Sequence, residues 1–193
     1  MKQQHSIQHS ATERPFVLWF TGLSGAGKST TATAVQAALA AQGLPSYLLD
    51  GDLLRNGLCR DLGFSTEDRY ENIRRVSEVA KLFVDAGLIV IVATISPFQK
   101  MRLDARARFE PDTFIEIFID APLSVCEKRD PKGLYHKVRA GQIAHFTGID
   151  STYETPEAPE LHLHTDQQTL DDSVNDILSY LYQHGHLPHA THS

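Results

Sequence analysis

Eight consecutive residues, Gly22-Leu23-Ser24-Gly25-Ala26-Gly27-Lys28-Ser29, satisfy G-x-x-x-x-G-K-[ST] at every specified position, and no other segment restricts the fold as much. Such a loop is useful only when a strand delivers it and a helix leaves it. The glycines then let the backbone close round phosphate oxygens, with amide hydrogens and the positive helix end facing the negative charge. Both flanks are present. Residues 16–21 form an apolar run of strand length, and Ala32, Val35, Ala38 and Leu39 recur at helical spacing before Gly43-Leu44-Pro45 stops the helix. The pattern reads as an ATP-binding loop in which Lys28 reaches the β- and γ-phosphates and the Ser29 hydroxyl holds Mg2+. A ligand-free glycine-rich turn is the bland alternative, and the coincidence of strand, loop and helix argues against it.

Four further apolar runs, at 47–49, 88–93, 114–119 and 161–163, read as buried parallel strands. Ile73, Val76, Val79, Ala80, Phe83 and Val84 mark a helix ahead of Gly87, and Val174, Ile177, Leu178 and Leu181 mark a last one. Strands alternating with helices predict an α/β fold, a doubly wound parallel five-stranded sheet of the P-loop nucleoside triphosphate hydrolase or kinase type. Its ligands bind beyond the carboxyl ends of the strands. Residues 130–159 break the rhythm, with helical periodicity only over 135–143. A connection of this length, rich in Lys, Arg, aromatics and Gly, reads as a lid. The expected organisation is a disordered tail at 1–15, one kinase domain at 16–187 and a C-terminal tail at 188–193.

Composition narrows the ligand. A net charge of -6 without any long Lys or Arg run lacks the electrostatic footprint of a nucleic-acid or membrane-surface binder, and suits a small anionic ligand held by a few local cations. The chain shows neither a membrane-length apolar stretch nor a signal-peptide core, so a cytoplasmic protein is expected. Cys59 and Cys126 are far apart, without a C-x-x-C pattern or His ligands at metal spacing, which argues against a disulfide framework or a zinc site. His5, His9, His184, His186, His189 and His192 lie in the polar ends and read as tail residues rather than ligands.

The carboxylates after the second strand narrow the chemistry. Asp50-Gly51-Asp52 falls at the sheet edge where the phosphate loop lies. Asp50 and Asp52 there could, with Ser29, hold Mg2+ and its water and accept a proton from an attacking hydroxyl. The alternative is an ordinary Asp-Gly turn. Two acids beside a triphosphate would repel it unless a metal lay between, which favours function. Asp120 ends the run 115–119 as a Walker B Asp would, but its strand is expected on the other side of the phosphate-loop strand, so it is the weaker metal ligand. Arg55, Arg60, Arg69, Arg74 and Arg75 cluster after these acids. Arg74 and Arg75 read as a solvated helix face, whereas Arg55 and Arg69 could grip a phosphate or sulfate in bidentate fashion. Phe64 and Phe146 are aromatics in polar loops.

Taken together, these segments resemble adenylylsulfate kinase over about residues 16–187. The likeness rests on GLSGAGKST (22–30), DGD with the following Arg55, DLGFS (61–65), DR-x-ENIRR (68–75), ISP (95–97), RDPKGLY (129–135) and FTGID (146–150). The resemblance implies transfer of the γ-phosphoryl of ATP, with Mg2+, to the 3'-hydroxyl of adenosine 5'-phosphosulfate. It further implies a cytoplasmic homodimer serving sulfate assimilation and open to functional coupling with an ATP sulfurylase. It assigns Gly22, Leu23, Ser24, Gly25, Ala26, Gly27, Lys28, Ser29 and Thr30 to ATP. Phe64 and Phe146 become the two faces of an adenine clamp, and Arg55, Arg69 and Asn72 the phosphosulfate and ribose contacts. Lys132 and Leu134 become lid residues near both nucleotides, with Asp52, Ile95, Ser96 and Thr147 also at the substrate. Ser96 occupies the place described in the family as a phosphoserine intermediate. P-loop kinases generally transfer directly and in line, so Ser96 is expected to contact substrate instead. Leu53 follows DGD where the family commonly has Asn, and His136 stands where a second lid Lys is usual. A gluconate- or shikimate-type kinase would need sugar-binding polar groups in place of the two phenylalanines, and a regulatory module would not need both acids and the lid intact.

Overall fold

The apolar run ahead of the phosphate loop forms strand β1 (Val17–Thr21), buried at every position. The computed structural model describes residues 14–188. The expected tails fall mostly outside the described residues, as do His5, His9, His189 and His192. In chain order β1 is followed by α1 (Lys28–Ala41), β2 (Ser46–Asp50), α2 (Gly51–Asn56), α3 (Thr66–Asp85), β3 (Ile89–Ala93) and α4 (Gln99–Arg106). Then come β4 (Phe114–Asp120), α5 (Leu123–Arg129), α6 (Leu134–Arg139), β5 (Leu161–His164) and α7 (Leu170–Gln183). The five strands pair in parallel in the order β2-β3-β1-β4-β5, the doubly wound sheet expected. β1 is central, so the phosphate loop leaves the middle of the sheet's carboxyl edge.

The two-residue period of a strand divides the core. Phe16, Leu18 and Phe20, with Ile91, Ile115 and Ile117, pack against Ala32, Val35 and Leu39 of α1 and Ile177 and Leu181 of α7. Val17 and Trp19, with Val90, Val92 and Phe114, face Ile73, Val76 and Ala80 of α3 and Met101 and Ala105 of α4. Ser65 caps α3 by accepting the Asp68 amide at 3.1 Å, and Thr169 and Asp172 form a reciprocal capping box at α7.

Three helices escape the sequence pattern. α2 buries none of its residues, so no apolar period betrays it. α5 is seven residues long. In α4 one buried position is Arg102 rather than an apolar residue. The helix foreseen over 135–143 is α6, and it stops at Arg139. His184 and His186 correct the reading of them as tail residues: His184 caps α7 and stacks on Tyr180 at 3.9 Å, His186 lies 5.2 Å from Phe16, and Leu187 is buried. Among the described residues no helix is long and apolar enough to cross a membrane.

The segment returning from residue 150 to β5 is fixed by a charged network. Arg102 lies 2.7 Å from Glu116, close enough for an ion pair but not aligned as a hydrogen bond. It also donates to the carbonyls of Ser96 (2.9 Å) and Glu154 (2.8 Å). Arg106 forks onto Glu160 through two contacts of 2.7 Å, and Glu160 accepts the Glu116 amide at 2.6 Å. The buried Arg102–Glu116 end of this network is costly to break, because removing one partner strands a charge.

Candidate active site

The phosphate loop is shaped by close backbone approaches. At Gly22, φ is 143° and a Cβ would lie 2.2 Å from the Ile119 carbonyl oxygen; at Gly25 the corresponding oxygen is that of Cys126, at 2.9 Å. A side chain at either place would displace backbone, so the cradle needs glycine. Gly27 enters α1 with φ 112°, and the helix begins at Lys28. The Lys28 ammonium is buried and donates to the carbonyls of Gly22 (3.0 Å) and Leu23 (2.8 Å). Burial first, and the neighbouring Lys132 charge second, pull its pKa down to about 8. A phosphate in the cradle would supply the countercharge that two carbonyl dipoles provide only in part.

The loop is supported from behind by residues that sequence reasoning did not single out. The Tyr135 hydroxyl donates to the Ser24 carbonyl at 2.8 Å, Thr165 Oγ1 donates to the Ala26 carbonyl at 2.6 Å, and Arg129 reaches Ala26 and Thr165. Arg129 and Tyr135 belong to the RDPKGLY segment, where that signal was available. Nothing local marks Thr165.

At the end of β2 the acids meet the loop. Ser29 Oγ donates to Asp50 at 2.6 Å, and the other Asp50 oxygen accepts the Asp52 amide at 2.9 Å, capping α2. At the intervening Gly51 a Cβ would sit tightly against the Ala93 carbonyl (3.2 Å) and Thr94 Cγ2 (3.3 Å). Ser29, Asp50 and Asp52 form an all-oxygen donor set, which fits a hard divalent cation such as Mg2+, and the glycine cradle fits a nucleotide triphosphate. Asp52 is exposed and ion-paired to Lys132 of the lid segment. Asp120 lies on β4, across β1 from β3, and contacts His162 and His164 of β5.

Of the predicted substrate residues, Arg55, Phe64, Arg69, Phe146 and Thr147 gather around the start of α3. Arg55 donates to the Gly63 carbonyl at 2.8 Å and sits 4.4 Å above the Phe64 ring, which is 56% exposed. Buried Arg69 donates to the Phe64 carbonyl (3.0 Å), Thr147 Oγ1 (2.6 Å) and the His145 carbonyl. One guanidinium therefore joins the segment carrying Phe64 to the segment carrying Phe146. Phe146 is half-buried and meets Tyr135 edge-on at 4.9 Å. Asn72 is buried with Oδ1 unpaired, and so is Thr94 with its hydroxyl unpaired. Buried acceptors without partners are uncommon and point to a bound group or water. Thr94 is a candidate that sequence reasoning did not single out; its signal is its place just past the carboxyl end of β3.

Ser96 is placed differently from a freely reactive hydroxyl. It is buried, with φ 40°, and its Oγ accepts the Trp19 indole N–H at 3.1 Å. Its neighbour Ile95 offers its carbonyl to Thr21 Oγ1 at 2.7 Å. Leu134 opens α6 after Gly133, whose φ is 64°, and Asp130 accepts the amides of Tyr135 and His136 at 3.1 and 3.0 Å.

The arrangement has known counterparts. Residues 14–164 match the family model described as adenylylsulphate kinase. An adenylyl-sulfate kinase of Marinobacter nauticus is 59% identical over 171 residues, covering 89% of this chain and 86% of its own. The solved Mycobacterium tuberculosis APS kinase in complex with AMPPNP and APS superposes with a TM-score of 0.84 at 49% identity, covering 88% of this chain and 99% of that one. A hexameric APS kinase from Thiobacillus denitrificans matches with a TM-score of 0.71 at 35% identity, over 92% of this chain and 30% of that one.

Proposed function

Because the chain belongs to the adenylylsulphate kinase family, we propose that its site moves the γ-phosphoryl of MgATP directly to the 3'-hydroxyl of adenosine 5'-phosphosulfate, leaving ADP and 3'-phosphoadenosine 5'-phosphosulfate. The observation that carries this reading is the Ser29 to Asp50 hydrogen bond at 2.6 Å with Asp52 two residues on. It sets a metal-type donor pair, and a second carboxylate held by Lys132, at the mouth of the glycine cradle. Mg2+ held there would neutralise charge building up on the phosphoryl oxygens.

The chain's own residues supply the rest. Amides of residues 22–30 and the Lys28 ammonium hold the phosphates. Asp50 orients Ser29 and caps α2, which directs Asp52 outward to accept the 3'-hydroxyl proton. Arg55, Arg69 and Asn72 take the phosphosulfate and ribose, while Phe64 and Phe146 stack on the adenine. Thr147 and Ile95 line the same mouth, and Leu134 flanks it from the lid. Lys132 leaves Asp52 for the transferring phosphoryl as the segment 130–159 acts as lid, freeing the carboxylate to act as base. Ser96, held by the Trp19 indole, shapes the wall without becoming phosphorylated.

The working form is read as a cytoplasmic homodimer. Adenosine 5'-phosphosulfate must come from adenylyl transfer to sulfate, so functional coupling to an ATP sulfurylase fits the substrate's chemistry. Release of ADP, measured by a coupled assay with and without adenosine 5'-phosphosulfate, tests the reading. Turnover should depend on the sulfated nucleotide with one ADP per 3'-phosphorylated product; equal turnover with gluconate or shikimate, or none with any acceptor, would reject it.

A further inference from the structure

At the carboxyl ends of β4 and β5, on the other side of β1 from β2 and β3, Asp120, His162 and His164 project from one face of the sheet. His162 and His164 are two residues apart on a strand, hence on the same side, and Asp120 is the direct cross-strand partner of His164. Asp120 Oδ2 lies 2.9 Å from His162 Nε2 and 3.6 Å from His164 Nδ1, the imidazole centroids are 4.3 Å apart, and one ligand atom from each residue lies within 4.8 Å of the others.

From this geometry we propose that Asp120, His162 and His164 form a binding site for a divalent transition-metal ion such as Zn2+, which pins the edge strand β5 to β4. Bonds of about 2.0–2.1 Å at tetrahedral angles put neighbouring ligand atoms about 3.3 Å apart; the two carboxylate-to-imidazole separations of 2.9 and 3.6 Å bracket that value, and the two imidazole ligand atoms lie within 4.8 Å of each other. Two imidazoles and one carboxylate suit Zn2+, Co2+, Ni2+ or Cu2+, whereas Mg2+ and Ca2+ favour all-oxygen sets such as the one at Ser29 and Asp50. The side chains of His162 and His164 are 43% and 46% exposed, so an ion can enter from solvent and keep a water as its fourth ligand. Phe118, 4.7 Å from the His162 ring, and Tyr153 close the inner side.

The expectation of no zinc site rested on the lack of a C-x-x-C pattern and of His ligands at metal spacing, whereas His162-x-His164 is a metal spacing once both residues lie on a strand. The position gives the site a structural role. The Asp120 carbonyl accepts the Thr165 amide at 2.9 Å, and Thr165 in turn supports the phosphate loop at Ala26.

The experiment is a Co2+ titration of the full chain, read by visible absorption and by competition with a chromophoric chelator, run beside His164→Ala and His162→Gln. The ten histidines of the chain can bind metal elsewhere, so the readout is the difference between proteins. Wild type should bind one more equivalent than either variant, or bind it at least tenfold more tightly, as expected when a group organising a metal is removed. Zn2+ should raise the unfolding midpoint of wild type and not that of the variants. His162→Gln keeps a polar side chain on the strand, so it decides the matter if His164→Ala folds poorly. Equal stoichiometry and affinity in wild type and the folded variants, or no midpoint shift in wild type, would overturn the proposal.

Discussion

Removing the Phe64 ring should weaken binding of the sulfated nucleotide while leaving both the fold and ATP binding nearly intact. Phe64 is 56% exposed, and the Arg55 and Arg69 guanidiniums make cation–π contacts with it at 4.4 and 5.9 Å. A cation–π contact at so exposed a place contributes about 0.5–1 kcal/mol, and little apolar packing is lost with it. Stacking of a base on an aromatic ring is worth roughly 1–3 kcal/mol, which converts to about 5- to 150-fold in affinity. Phe64→Ala should therefore lose that factor for adenosine 5'-phosphosulfate with a thermal midpoint close to wild type. Phe146→Ala should lose a similar factor and stability as well, because its ring packs on Tyr135 and against the α1 side of the core. Isothermal titration with adenosine 5'-phosphosulfate, and separately with a non-hydrolysable ATP analogue, measures both. Equal losses for the two ligands in Phe64→Ala, or no loss for the sulfated one, would refute the clamp.

Lys28→Ala should abolish phosphoryl transfer in the coupled assay without unfolding the protein. Lys28 also sets a pH dependence. With its folded pKa lowered to about 8 from 10.5, the unfolded chain binds more protons between those values, so the nucleotide-free protein should gain stability as pH rises through that window. Lys28→Met should flatten this gain in chemical denaturation measured across the range. Asp52→Asn should cut kcat far more than it raises KM, since a proton acceptor acts chiefly in the transition state; a change in KM alone would make Asp52 a binding residue. Ser96→Ala should keep substantial activity and accumulate no phosphoenzyme from radiolabelled ATP while shifting Trp19 fluorescence, because the indole loses its acceptor.

The sheet and phosphate loop were legible because their signals are local. A strand-length apolar run, a fixed glycine spacing and a helical period lie within about thirty residues, and the Asp50-Gly51-Asp52 placement follows from strand ends alone. Arg69 was legible as a cation, but its role as a link between residues 64 and 145–147 depends on contacts more than seventy residues apart in sequence. The short helices failed for another reason: α2 buries nothing, and α4 offers only Met101 and Ala105 beside a buried arginine, too few positions to stand out as an apolar period. His184 and His186 looked like tail residues because polarity was read without the aromatic neighbours that hold them, Tyr180 and Phe16. Thr94 carries no signal beyond its position after β3.

The charged network around Arg102 and Arg106 limits where the chain can be cut. It pins the stretch that follows residue 150 at Glu154 and Glu160, while α5 and the Asp130 cap anchor the other side. Within the segment 130–159, a protease therefore finds accessible peptide bonds in the short interval around 140–144, where most side chains are exposed. The two fragments of such a nick would stay together, since β5 remains hydrogen-bonded in the sheet and Glu160 remains clasped by Arg106. Under native conditions the nicked protein should run as one particle, and only denaturant should separate the pieces.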